Sequence, residues 1–180
     1  FWNKKGILIC MKKLFKIYFF PVGLILLLSF SRLIPHPFNF TPMLAVGIFA
    51  GFYFRQFFLG SLIVVLSTFI GDLYLGFHDT MIFTYISLIV AVSSGLLIKN
   101  LKFISILFAG VASSVCFYII TNFGAWLTLA MYEKNLSGLV QSYVLAIPFF
   151  HNTLLSTLLY LTVFKLIFDF SIKKTAKITF

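Results

Sequence analysis

The sequence predicts an all-α integral membrane protein of six transmembrane helices, and three observations carry that prediction. Hydrophobic residues make up 61% of the 180-residue chain and charged residues only 10%, with a mean hydropathy of +1.08. A soluble domain has about a quarter of its residues charged. Charged residues divide the chain into uncharged runs at 17–31, 33–54, 56–71, 80–98, 103–132 and 135–164, most of them close to the roughly 17–25 residues that a helical crossing needs. Apolar runs such as LILLL and SLIVVL lack the period-two alternation of barrel strands, and only helices or closed barrels satisfy every backbone group in lipid.

The first span, 15–32, follows a basic N-terminal segment, residues 1–14. Within that segment Met11-Lys12-Lys13 reads as a translation start and 1–10 as an upstream extension. A basic-then-apolar start imitates a signal peptide, but no A-x-A-like cleavage site follows, so the span is expected to be retained. The second span, 42–55, is short because Arg55 ends it. The third and fourth are expected at 57–75 and 80–98, the latter opened by Asp79-Thr80 before an apolar run. The fifth covers 103–124. The sixth covers 141–168, kinked by Pro148, which removes a donor and frees carbonyls. These form one transmembrane domain over 15–170, followed by a basic tail, 171–180. Cys10 and Cys116 lie far apart and on different levels, so no disulfide is expected.

Lysine and arginine placement sets the orientation. Lys4, Lys5, Lys12, Lys13 and Lys16 precede the first span; Arg55, Lys99 and Lys102 fall in the second and fourth connections; Lys165, Lys173, Lys174 and Lys177 end the chain. With six spans all of these share one side, which the positive-inside rule makes cytoplasmic, together with both termini. Only Arg32 and Lys134 fall opposite. The formal charge of +10 is thereby a topological feature, to be met by the lipid bilayer rather than by nucleic acid.

The polar residues gather at the predicted outer face. Three segments meet there: SRLIPHPFNFTPML (31–44), with three prolines that cannot continue a helix, GDLYLGFHDT (71–80) and TNFGAWLTLAMYEKN (121–135). They and the adjoining helix ends carry His36, Asn39, Asp72, Tyr74, His78, Asp79, Tyr85, Asn122, Trp126 and Glu133. The cytoplasmic connections are minimal, and elaborate loops on one face point to binding there. Each candidate also has a structural reading. Asp72 can pair with Arg32 or a loop amide, since an unpaired carboxylate near a helix end in lipid is costly. His36 can be an interfacial histidine, His78 and Asp79 can cap the fourth helix, and Trp126 can belong to an aromatic belt. His151 and Asn152, in AIPFFHNTLLS, fall about 15 Å into the sixth span at 1.5 Å per residue. There they act either as interhelical hydrogen-bonding groups or as the polar floor of a pocket.

No catalytic constellation is present. The sequence lacks H-E-x-x-H, G-x-S-x-G and G-x-x-x-x-G-K-[ST] motifs, and nothing calls for a cofactor. A metal site built from His36, His78 and Asp72 would need residues from separate loops to converge.

The stretches SRLIPHPFNFTPMLAVGIFAG, GDLYLGFHDTMIFTYIS, ITNFGAWL and YVLAIPFFHNTLL, spread from Ser31 to Leu155, resemble an uncharacterised family of small bacterial membrane proteins. That family is similar in turn to the S components, the substrate-binding subunits, of energy-coupling factor (ECF) vitamin transporters. The shared plan is six helices, cytoplasmic termini, a proline-bearing first outer loop and a Gly-Asp near the end of the third helix. The resemblance implies a solute captured from outside the bacterial cytoplasmic membrane, a vitamin or other cofactor-like molecule. S components borrow a coupling protein and two ATPases. Some solitary ones import corrinoids, and His36 or His78 would then be placed to ligate cobalt. One departure is the first helix, PVGLILLLSFS, which lacks the Ala-x-x-x-Ala surface used to dock on the coupling protein; Gly47, Ala50 and Gly51 offer a small-residue surface instead. The expected mechanism has the proline-rich loop as a stiff lid carrying His36 and Asn39, over walls supplying Asp72, His78, Tyr85, Asn122 and Trp126, with His151 and Asn152 as the floor. The alternatives are an assembly subunit gripping an extracytoplasmic partner and, third, a membrane enzyme with a His/Asp site.

Overall fold

The computed structural model describes residues 22–23, 25–26 and 30–176, with side chains as far as Phe170 except that of Leu33. Among the described residues a 3-10 turn at Ser31–Leu33 precedes six α-helices: α1 (Met43–Phe54), α2 (Phe57–Leu75), α3 (Met81–Leu97), α4 (Phe103–Thr128), α5 (Leu136–Leu145) and α6 (Ile147–Ala176). Among the described residues there is no strand. Three helices are long and apolar enough to cross a membrane: α2, α4 and the Ile147–Phe170 part of α6. The others are apolar but shorter, at 12, 17 and 10 residues for α1, α3 and α5. Most of the first predicted span, with the basic N-terminal segment, lies outside the described residues; Val22, Gly23, Ile25, Leu26 and Phe30 within it are helical.

Helix α1 is the hub. Every residue from Met43 to Gly51 is buried, as expected for a helix that is apolar on all sides. Its seam with α3 is built from small residues: Gly47 and Gly51, one turn apart, face Ala91 and Gly95. A methyl group added to Gly51 would collide with the Val92 carbonyl, and one added to Gly95 with the Ile48 carbonyl. The two backbones therefore touch, the arrangement that a small-xxx-small pair of helices permits in lipid. Gly47, Ala50 and Gly51 are spent inside the bundle, so the expectation that they form an outward docking surface is corrected. On its other side α1 meets α6 through an aromatic cluster. Phe49 lies 5.4 Å from Phe164, and Phe49, Phe52 and Tyr53 all lie within 6.3 Å of Phe168, ring centre to ring centre.

Two boundaries differ from the sequence expectation. Helix α4 continues to Thr128 instead of stopping at 124. Gly124 marks close packing, not a helix end: a methyl group there would enter the Phe83 ring of α3. The expected sixth span is two helices, broken at Ala146 two residues before Pro148. Pro148 has no N–H to give and is tolerated in the first turn of α6. The Tyr143 carbonyl at the break accepts the Tyr118 hydroxyl at 2.6 Å.

The two ends of the bundle differ. At one, two short turns adjoin: Arg55, in left-handed backbone with φ 53°, closes α1, donates to the Leu96 and Lys99 carbonyls at 3.1 and 3.3 Å, and stacks over Phe52. It thus caps the C-terminus of α3, where a cation also suits the helix dipole. At the other end the segments 31–42, 76–80 and 129–135 converge around a cavity.

Candidate functional site

The cavity exists because α1 starts low. After the 3-10 turn the chain makes a tight turn over 37–40, with Phe40 N–H donating to the Pro37 carbonyl at 3.0 Å and Asn39 at φ 60°. It then enters α1 only at Met43. The space above that helix start, about 460 Å³, is floored by Met43, Leu44, Leu88 and Thr68. Helix α3 and the turn before it contribute His78, Thr80 and Thr84, α4 and the residue after it contribute Phe117, Thr121, Asn122, Ala125 and Leu129, α6 contributes Phe149 and Thr153, and the first loop closes it with Arg32, Phe38, Asn39 and Thr41. A side recess of about 50 Å³ continues behind Asn122 to Ala146, at the α5–α6 break. The volume falls in the range of small-molecule sites, and the lining has their composition, apolar and aromatic walls with a few polar groups.

Of the nine residues singled out from the sequence, Asn39, His78 and Asn122 line the cavity. Asp72 and Tyr85 stand one layer behind it. The Asp72 carboxylate, 1% exposed, meets the Arg32 guanidinium at 2.9 Å through Oδ1 and accepts the Tyr85 hydroxyl at 2.7 Å through Oδ2. The guanidinium packs beside Gly71, where a Cβ would lie in contact with Nη1 at 3.4 Å. Asp72 thus takes the structural pairing with Arg32, and the pair ties the first loop to α2 and α3.

Four of the expected lining residues lie elsewhere. His36 is exposed on the outside of the loop. The Trp126 indole N–H donates to the Glu133 carbonyl at 2.9 Å, inside a knot where the Lys134 ammonium bonds the Trp126 and Leu129 carbonyls. His151 is exposed, with Nδ1 on the Ile147 carbonyl. Asn152, expected as a floor, instead donates to the Phe38 carbonyl at 3.0 Å. With the edge-to-face Phe38–Phe149 contact at 6.1 Å, it fastens the first loop to α6. His78 does not cap α3 with its side chain; Nδ1 is 2.9 Å from Thr80 Oγ1, and the backbone carbonyl of His78 accepts the Met81 N–H. His36, His78 and Asp72 do not converge, for among the described residues no three metal-ligating side chains come together.

Several lining residues were not singled out beforehand. Arg32 entered the sequence reading as an outer-side charge and a candidate partner of Asp72, and the lining threonines and phenylalanines were given no role. A signal was present in the spacing: Thr80 and Thr84, Phe117 and Thr121, and Phe149 and Thr153 are all i, i+4 pairs, each on one helix face.

The comparison with known families matches a family of unknown function, DUF6580, over residues 12–178. The chain belongs to the DUF6580 family. No curated protein and no solved structure matches it. The DUF6580 match spans the cavity and helices α1–α6.

Proposed function

We propose that this DUF6580 protein is a membrane-embedded solute-binding protein that takes up a vitamin- or cofactor-like small molecule. In this reading the solute enters from the extracytoplasmic face of a bacterial cytoplasmic membrane, and the six-helix bundle works in the manner of an ECF S component. The observation that carries it is the 460 Å³ cavity at the loop end, bounded by five helices and a fastened proline-rich loop. The first loop is the lid. Arg32 with Asp72 hinges one side to α2 and α3, and Asn152 with Phe149 holds the other to α6. Binding closes Phe38 and Asn39 over the solute. Energy for uptake comes either from a coupling protein with two ATPases or from the solitary mode of some S components. A docking surface for the coupling protein lies outside the α1–α3 seam, which is filled.

The experiment is thermal unfolding of the detergent-purified protein against a panel of vitamins, corrinoids and metal ions. A ligand at 100 times its dissociation constant adds about 2.7 kcal/mol, which raises the melting point measurably. A flat panel in a folded sample opposes this reading. It would favour the assembly-subunit alternative, to which the exposed His36 and His151 at the loop end give some support. Pull-down of a stoichiometric extracytoplasmic partner would then be the expected result.

A further inference from the structure

The hydrogen-bond state of the cavity wall limits what the cavity can hold. Four lining threonines already spend their only hydroxyl proton on the carbonyl one turn back. Thr68 donates to Val64 at 2.8 Å, Thr121 to Phe117 at 2.7 Å, Thr153 to Phe149 at 3.0 Å and Thr84 to Thr80 at 3.4 Å. A hydroxyl has one donor and two lone pairs, so each presents oxygen lone pairs for any further bond. The Asn122 amide is oriented by one of its two N–H groups. That N–H donates to the Tyr118 carbonyl at 2.8 Å, a bond that Oδ1 cannot make, so Oδ1 is an acceptor and a single N–H is left over.

The charge in the lining is also answered in advance. Among the described residues lining the cavity Arg32 is the only lysine or arginine, and the buried Asp72 carboxylate holds it at 2.9 Å. An anionic ligand would meet a guanidinium whose charge Asp72 already balances, in a site walled by Phe38, Leu88, Phe117 and Phe149. It would also face the lone pairs of Thr68, Thr121, Thr153 and Asn122. Unpaired polar groups and unanswered charge are costly in such surroundings.

We infer that the cavity selects neutral or cationic solutes that bear several N–H or O–H donors on an apolar or aromatic body, and rejects carboxylates and phosphates. This rests on the solute-binding reading above and narrows it to a ligand class. Donor groups would meet Thr121, Asn122 and Thr153 on adjoining α4 and α6, while the ring faces of Phe117 and Phe149 take the apolar body.

The test is equilibrium dialysis of the full-length detergent-purified protein against matched pairs: thiamine with thiamine monophosphate, pyridoxine and pyridoxamine with 4-pyridoxic acid, adenosine with adenosine monophosphate. The expected result is binding by at least one donor-bearing member, with its anionic counterpart at least tenfold weaker. Thr121→Val and Thr153→Val keep the side-chain shape and remove the acceptor, and each should weaken that binding roughly fivefold. Thr121→Ser should retain it. Tighter binding of the anionic members, or unchanged binding in both valine variants, overturns the inference and leaves the solute-binding reading standing. Absence of binding by every member, in protein shown to be folded, overturns both.

Discussion

At the residue scale the arginine, aspartate and tyrosine behind the cavity determine how the first loop is held. Asp72 is almost fully buried and serves two partners, so removing one leaves a charge without its answer. Arg32→Leu should cost about 3–5 kcal/mol, the range for a broken buried pair, and lower the melting temperature of the purified protein. Arg32→Met together with Asp72→Leu should cost less than Arg32→Leu alone, because no buried charge is then left unpaired. A double variant less stable than the single one would contradict this account of the pair. Asn39 is a different case. Its left-handed backbone, φ 60°, suits asparagine or glycine and penalises a β-branched residue. Asn39→Val should lose about 1–2 kcal/mol to that conformation. Asn39→Gly should keep the stability while weakening any ligand-dependent shift, since only the cavity-facing amide is lost.

At the scale of elements, the short α1 is what makes room for a site. The run 33–54 is uncharged, yet its first ten residues hold three prolines and cannot be α-helix. The helix therefore begins beneath the level at which its neighbours end. Packing compensates for its length. With Gly47 and Gly51 set against Ala91 and Gly95, α1 approaches α3 closely enough that a single methyl group is excluded. Gly51→Ala or Gly95→Ala should destabilise the protein by about 1–3 kcal/mol, read by thermal melting; a neutral outcome at both would mean that the helices do not cross there. Much of this level was legible in the sequence. The spans expected at 42–55, 57–75 and 80–98 coincide with α1, α2 and α3 to within a residue or so, because charges and prolines punctuate them. The break at Ala146 was less so, since Pro148 signals a kink and a break alike and the packing of Tyr118 on Tyr143 decides between them. The fifth span was expected to end at 124, but α4 runs four residues further, and Gly124 serves there for close approach to Phe83. For the site, sidedness brought Asn39, His78 and Asn122 to the right end of the bundle. Depth along a helix could not tell Asn152, which bonds the loop, from Thr153 beside it, which lines the cavity. Neighbouring helical positions point about 100° apart, and nothing local shows which one faces inward.

At the scale of the whole molecule, the chain divides its chemistry between two ends. One end holds minimal turns, with Arg55 capping α3 and an aromatic cluster filling the space between α1 and α6. The other leaves a cavity open under a loop fastened on two sides. Asn152→Ala removes one fastening without touching the lining, and should increase hydrogen exchange of residues 36–41 while leaving that of α1 unchanged. The central claim is that a small solute binds in this cavity, and a filled cavity tests it most directly. Ala125→Trp places an indole into the space from the α4 wall. The measurement is dialysis of one bound solute against the wild-type and Ala125→Trp proteins side by side, both shown to be folded by their melting curves. The account predicts binding by the wild type and at least a tenfold loss in the variant. Equal binding by both would put the solute elsewhere on the molecule and contradict the cavity as the site.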